Sequence, residues 1–252
     1  SASRDVAGPA AWGDAFVALA PWAAVAWSLA FFAALYWSVC GGNWLLVRHA
    51  LPAAGVGRAI DPRPLRGGQL SREIGRSMVS VLIFGVGAIL PWWLLRHGWA
   101  TLAPAAGAPR IAAEIVALLV WNDIHFYANH RLLHTRLLRR FHVAHHRSVV
   151  PTPFSTYSFH PLEAVLLGNV IVLPMLVHDF SFAALLALPI ASLVLNTLGH
   201  SNYDYAPSVG DAHWLAAGRR HGLHHAHGHG NYGFLFGFMD RWLGTRIAPR
   251  VP

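Results

Sequence analysis

The chain contains no lysine; all 19 of its basic residues are arginine. Chemistry that runs through a lysine Schiff base is therefore excluded. It has a single cysteine, Cys40, so it can form neither an intramolecular disulfide nor a thiolate-held iron–sulfur cluster. Any metal it binds must be held by nitrogen and oxygen. Charge is also scarce. Only 12% of the 252 residues are charged, against roughly a quarter in a soluble domain. Acids are the scarcer sign, 11 against 19, which leaves a formal net charge of +8. No nucleic-acid recognition motif accompanies that excess, and no nucleic-acid partner is expected. The arginines cluster instead in loops beside apolar runs, where they set membrane topology and meet anionic headgroups. The N-terminal Ser1, Ala2, Ser3, Arg4 and Asp5 lack the basic region and cleavage pattern of a signal peptide, so the first apolar segment is expected to stay in the protein.

What is plentiful is apolar surface. Hydrophobic residues make up 55% of the chain, with 11 tryptophans, and mean hydropathy is +0.41. The composition is that of a membrane protein, and the length allows one domain with a sizeable interior. An apolar run over 15–40 is long enough to cross the roughly 30 Å hydrocarbon core as a helix. An Arg-, Gly- and Pro-rich stretch over 41–76 then reads as a cytoplasmic loop with room for one surface helix. Further spans are expected over 78–95 and 111–129. Residues 162–198 read as a helical hairpin turning at His178 and Asp179, its first arm short for a full crossing. The fold class that follows is all-α: an integral membrane bundle of four to five apolar segments with a cytoplasmic, histidine-rich helical cap holding a dimetal site. Two parts are expected, an N-terminal span and loop over 1–69 and a second, membrane-embedded part over 70–252.

Arginine placement gives an orientation. Six arginines lie between residues 41 and 78 and five between 130 and 160, while only Arg96 and Arg110 bound the intervening loop; Arg219, Arg220, Arg241, Arg246 and Arg250 follow the last span. The positive-inside rule puts the N-terminus outside and the C-terminus in the cytoplasm. The expected location is a bacterial inner membrane with the active site on its cytoplasmic face.

The 17 histidines carry the functional signal. His130 and His134 are four apart; His142, His145 and His146 repeat as His221, His224 and His225; His200 stands between the groups. Residues three or four apart share one face of a helix, so each group aims its imidazoles one way. Imidazole is a common ligand for iron, zinc and copper. Eight or more exceed one tetrahedral zinc site, which implies two metals. A bis-histidine haem would use two ligands and leave most of the pattern unexplained. His49, His97 and His178 have no patterned neighbours and read as ordinary polar residues. His125, His213, His227 and His229 read as lying beside the metal sphere, at the surface or on the substrate side.

The three groups resemble the histidine boxes of the fatty acid hydroxylase and sterol desaturase superfamily: His130-Arg-Leu-Leu-His134, His142-Val-Ala-His-His146 and His221-Gly-Leu-His-His225. Flanking residues also match that superfamily. Arg72 opens the second span; Asp123 and Tyr127 precede the first box; Ser158 to Glu163 follows the second; Gly199-His200-Ser-Asn202 precedes the third. Asn231 to Gly233 and Asp240 to Thr245 resemble its C-terminal signature. The resemblance covers about residues 70–246.

It implies a non-haem diiron centre on the cytoplasmic side, with O2 as co-substrate and an apolar substrate. The implied ligands are His130, His134, His142, His145, His146, His200, His221, His224 and His225, with zinc able to replace iron on overexpression. Asp123, Glu163, Asp204 and Asp240 are candidates to orient ligand imidazoles. Asn196, one turn before His200, is a candidate to hold a metal-bound water. His160 precedes Pro161, which favours extended backbone, and is placed beside the metal or substrate ahead of ligation. Among the aromatics Phe154, Tyr157, Phe159, Tyr203, Tyr205, Phe234 and Phe236, a few are expected to line a substrate pocket.

The activity this implies is hydroxylation of a lipid C–H bond, on a fatty acyl, aminolipid or sterol-like substrate. The alternative is desaturation by the same site. A membrane metal-binding or transport protein is the reading from another class; it requires ligands distributed along a path through the spans. No haem- or flavin-binding motif is present, so electrons are expected from an external ferredoxin- or cytochrome-type donor with its reductase, and an Arg-rich face suits an acidic carrier.

Overall fold

The computed structural model describes residues 9–104, 106–233 and 235–247. The N-terminal pentapeptide, Phe234 and Arg250 lie outside the described residues. The chain is helical almost throughout. Four helices are long and apolar enough to cross a membrane: Pro21–Ala53, Gln69–Arg96, Ala108–Leu133 and Phe182–His200. Their outward faces carry large apolar side chains such as Trp22, Leu82 and Val116, as a surface bathed in lipid requires.

A short helix α1 (Pro9–Ala18) precedes α2 (Pro21–Leu45), where Pro21 sits in the first turn after an extended Ala20. Proline suits that position because its missing N–H has no intrahelical partner there. The expected loop at Gly41 is displaced. α2 runs through Gly41 and Gly42 into a π-turn (Leu46–Ala50) and ends in α3 (Leu51–Ala53). Inside a membrane every backbone group must be satisfied by the helix itself, so two glycines with apolar neighbours do not stop it.

The second span also begins earlier than its hydropathy indicates. It comprises α4 (Gln69–Gly87) and α5 (Ile89–Arg96), offset at Ala88. Its polar first turns are buried against the segment after residue 147. Gln69 donates to Glu73 and to the Val150 carbonyl at 2.8 Å each, and Thr152 donates to Glu73 at 2.5 Å. Partners inside the protein, not water, satisfy these groups. Gly85 is required where α4 meets α2, because a Cβ there would lie 2.9 Å from the Leu29 Cα.

The third span is α6 (Ala108–Leu133), 26 residues and about 39 Å long. α7 (Arg139–His146) follows after a five-residue break. The expected hairpin is present, with its first arm divided into α8 (Pro161–Gly168) and α9 (Val172–Val177), and its second arm α10 (Phe182–His200) complete. Its turn packs at the start of α6: Arg110 donates to the Asp179 carbonyl at 2.8 Å, Thr101 bonds the Asp179 carboxylate, and His178 lies 3.6 Å from Glu114. That is the end of α6 opposite His130. α11 (Ala217–His227) and α12 (Phe238–Trp242) close the chain.

The apolar interior has two centres. One gathers Tyr36, Cys40, Val81, Phe154, Tyr157 and Leu193. Its polar atoms are paired, the Phe154 carbonyl accepting from Tyr36 at 2.9 Å and Ser77 at 2.8 Å. The other, nearer the hairpin turn, gathers Leu94, Leu118, Met175, Leu185 and Leu188. A two-residue antiparallel pair, β1 (Arg58–Ala59) with β2 (Tyr203–Asp204), ties the loop after α3 to the segment after α10. Gly57, at φ +71°, allows that approach, since a Cβ would meet the Asp204 carbonyl at 2.5 Å.

Candidate metal centre

Three helix ends and one short helix deliver nine imidazoles to one place. His130 lies in the last turn of α6, with His134 at its C-terminus; His142, His145 and His146 lie on α7; His200 ends α10; His221, His224 and His225 lie on α11. The nine fall into two groups. His130, His134, His142, His146 and His224 form one, and His145, His200, His221 and His225 the other; within each, the ligand atoms lie within 4.8 Å of one another. α7 and α11 each contribute to both, so the two groups are built side by side.

In the first group His146 Nε2 lies 3.0 Å from His142 Nε2, 3.0 Å from His224 Nε2 and 3.3 Å from His134 Nε2. His130 Nε2 is 3.1 Å from His142 Nε2. In the second, His200 Nε2 is 3.1 Å from His145 Nε2 and 2.9 Å from His221 Nε2, and His221 Nε2 is 3.0 Å from His225 Nε2. Two nitrogens held about 2.1 Å from one ion, at right angles, lie about 3.0 Å apart.

The other ring nitrogens decide which atoms carry protons. His130 Nδ1 donates to the Tyr232 carbonyl at 2.9 Å, His224 Nδ1 to the Gly230 carbonyl at 2.7 Å, and His200 Nδ1 to the Asn196 carbonyl at 3.0 Å. His142 Nδ1 donates to Glu163 at 2.7 Å. A carbonyl only accepts, so those protons sit on Nδ1 and leave Nε2 as a bare lone pair. Lone pairs converging at 3 Å repel unless a cation lies among them, so the donor set fits two metal ions. Burial, followed by repulsion from neighbouring imidazoles, holds His142, His145, His221, His224 and His225 well below the usual histidine range. Burial foremost takes His134 down to about 4 and His146 to about 3. Neutral imidazole is the form that binds metal.

Of the four carboxylates considered as orienting groups, Glu163 alone touches a ligand ring among the described residues. Asp240 accepts from the Tyr232 and Gly233 N–H groups at 2.8 and 2.6 Å, and Asp123 accepts from the Leu235 N–H at 2.6 Å. Both pin the loop whose carbonyls orient His130 and His224. Asp204 is instead paired with Arg219 at 2.6 Å. His160 stands outside both groups; it caps α8, accepting from the Leu162 N–H at 3.2 Å. His125 is tied to Asn169 and Asn129, and His213 caps a 3-10 turn. His227, the last residue of α11, and His229 just past it are exposed.

Some contributors have no signal in their own residue type. The Tyr232 and Gly230 carbonyls act through the backbone. Buried Arg220 donates to the carbonyls of Asp211, His213 and Leu235, and Asn231, at φ 48°, is bonded to Arg220 and Ile247. The repeated match of Asn231 to Gly233 and Asp240 to Thr245 with a known signature marked this loop without giving its task.

A cavity of about 710 Å³ abuts the histidines. Three residues join the two: Phe126 against His130 (ring centroids 5.1 Å), Phe159 against His145 (5.3 Å), and Asn196, whose carbonyl holds His200. Its outer walls are apolar and include Trp27, Leu90 and Phe182, with Phe16 from α1. Of the candidate aromatics, Tyr157 and Phe159 line it. Tyr203 and Tyr205 bond instead to the Val56 carbonyl and to Asn43, and Phe154 packs in the interior.

The sequence model of the fatty acid hydroxylase family matches residues 115–245, just over half of the chain and the stretch that holds all nine histidines. The chain belongs to the fatty acid hydroxylase family. Relatives of this family member include a Delta(7)-sterol 5(6)-desaturase of Eremothecium gossypii, 28% identical over 75% of this chain and 54% of the relative. Methylsterol monooxygenase 1 of Gallus gallus is 32% identical over 57% of this chain and 48% of its own length. Lathosterol oxidase of Homo sapiens is 30% identical over the same shares, 57% and 48%. The chain spans about half the length of these curated relatives. They are fungal and animal, and lend no support to the expected bacterial membrane. No solved structure matches the chain.

Proposed function

We propose that this family member is an O2-dependent diiron oxidase that hydroxylates a C–H bond of a membrane lipid. One observation carries the reading: two adjacent groups of neutral imidazoles lie directly behind Phe126, Phe159 and Asn196, three residues that line a lipid-sized apolar cavity. Cavities of about 300–1,000 Å³ enclose most of a drug-sized ligand, and about 710 Å³ suits an acyl chain or a fused-ring lipid.

The nine histidines would hold the two ions, and iron supplies the redox chemistry with O2 that protein side chains lack. The rest is work for this chain. Glu163 and the carbonyls of Tyr232, Gly230 and Asn196 hold the Nδ1 protons, which fixes each ring's tautomer and aim. Phe126 and Phe159 form the cavity wall next to the imidazoles and would keep water from the reacting carbon. Asn196 lines the same wall and offers its amide to a water or to the substrate.

Arginine distribution is the ground for placing this centre on the cytoplasmic face, within reach of an external ferredoxin- or cytochrome-type donor. A second reading is desaturation by the same site; a relative named as a sterol desaturase favours it. A transporter reading fits less well, because the nine ligands lie together at one end of the spans. Lipid extracts from cells with active and His145→Ala protein, compared by mass spectrometry, test the proposal. A lipid gaining one oxygen supports hydroxylation, one losing two hydrogens supports desaturation, and identical lipid profiles would count against both.

A further inference from the structure

We infer that the exposed surface over the end of α6, the loop after it and the outer face of α7 is the docking site for an acidic one-electron carrier protein, with His134 and His146 as the point of electron entry. The inference rests on the oxidase reading above.

The nine imidazoles are not equally enclosed. Seven are buried, and only His134 and His146 are partly open. Both belong to the five-histidine group, and their rings meet edge to face with centroids 5.0 Å apart. Electron transfer falls steeply with distance, so a donor outside the protein must approach this edge.

The surface around that edge has one sign of charge. Arg131, Arg136, Arg139, Arg140 and Arg147 are all exposed. No aspartate or glutamate occurs from residue 124 to residue 162, and none of the five arginines forms an ion pair among the described residues. Among the described residues Arg131 bonds the Tyr127 hydroxyl, at 3.2 Å, and Arg140 lies over the Phe141 ring at 4.6 Å. Arg139 is within electrostatic reach of both His134 and His146. Unpaired charges of one sign raise the local concentration of an oppositely charged partner and speed its encounter.

The same segments also expose apolar side chains: Leu137 is 72% exposed, and Leu132 and Val143 are exposed too. Exposed apolar side chains interspersed with unpaired charge are the make-up of a transient protein interface. A bilayer would also attract arginine and leucine, but a lipid headgroup delivers no electrons to the two open imidazoles. The carrier's chemistry follows: a small haem or iron–sulfur protein with a carboxylate-rich face around its redox group. At each visit the carrier's iron would give up one electron, and the metal pair that the nine histidines would hold would take it up. Two visits supply the two electrons which, with two protons from water, carry the second oxygen atom of O2 to water during hydroxylation.

The test uses the full chain, metal-loaded, in zwitterionic phosphatidylcholine nanodiscs. Binding of two acidic probes, a plant-type [2Fe–2S] ferredoxin and the soluble domain of a b-type cytochrome, is measured at low and high salt. Wild type should bind at least one, more weakly as salt rises. Arg136→Glu, Arg139→Glu and Arg140→Glu combined should weaken it about tenfold or more, with metal content and reduction by dithionite unchanged. If the triple variant does not fold, Arg136→Glu and Arg140→Glu are read singly against Arg219→Gln. Failure of wild type to bind either probe, or binding indifferent to the reversals, would overturn the inference. So would reversals that weaken attachment to phosphatidylserine vesicles and leave carrier binding intact, which would assign the patch to the membrane. Salt-dependent binding lost on reversal, together with no lipid oxidised under any reductant, would sink the oxidase reading and leave the docking site standing.

Discussion

His142 donates its Nδ1 proton to Glu163 at 2.7 Å, and both side chains are almost wholly buried. The pair joins α7 to the first turn of α8 across 21 residues. The bond leaves His142 Nε2 as a lone pair within 3.1 Å of two other ligand nitrogens. It also gives the ring an acceptor that fixes its aim. Glu163→Gln keeps the shape and an acceptor but replaces the carboxyl by an amide; Glu163→Ala removes the acceptor. Metal affinity, read by chelator competition, should fall about 10- to 100-fold in the alanine variant and less in the glutamine variant. Unchanged affinity in both would show that His142 is aimed by packing alone.

The partition into five and four imidazoles leads to a metal count. Elemental analysis of full-length protein should give two metals per chain. His145→Ala removes one of four ligands in the second group and should lower the count toward one and abolish lipid oxidation. His178→Ala lies at the hairpin turn beside Glu114, at the far end of α6, and should leave both values nearly unchanged. Equal losses in the two variants would contradict the grouping.

Proton competition sets the pH range. His134 and His146 sit at about 4 and about 3 in the folded protein, against 6.5 for the free side chain. Below 6.5 the unfolded chain binds protons that the folded site refuses. Stability is therefore full above 6.5 and declines as the pH falls from 6.5 toward 4, by up to about 1.4 kcal/mol per imidazole per pH unit. Metal release has the same sign, because protons and metal compete for one lone pair. Metal content and unfolding temperature should fall together below 6.5 and stay level from about 7 to 8. A stability maximum on the acid side would contradict the neutral assignment.

Orientation can be read with single cysteines in a Cys40→Ala background. His97, Leu137 and Ser208 are exposed; His97 follows the second span, and the other two lie on the histidine side. An impermeant thiol reagent added to intact cells should label His97→Cys alone. Labelling of Leu137→Cys from outside would reverse the orientation and remove the docking site from the cytoplasm.

Much of the bundle was legible because hydropathy and helical spacing are local. The four apolar runs and the turn at His178 could be placed from residues within one helix length. Boundaries were less legible. The Gly41-Gly42 pair reads as a break, yet α2 passes through it, because a helix in lipid cannot abandon its hydrogen bonds. Arg76 falls in the stretch that reads as loop but lies on α4, whose polar opening turns are satisfied by Val150 and Thr152 about 80 residues on. His160, expected beside the metal or the substrate, also caps α8, a task its residue type alone does not show.

The sequence by itself determined which residues hold metal-binding atoms and that each set shares a face, since a spacing of three or four is one helical turn. It also determined that the bundle is apolar. Only the tertiary structure decided the rest. Assignment of His145 to one group and His146 to the other depends on how α7 turns between α6, α10 and α11. Use of Gly230 and Tyr232 through their carbonyls leaves no mark on side-chain identity. The cavity draws walls from α1 and α2, far outside the histidine stretch. Each of these is a relation between distant segments, and distance in space has no local code in the chain.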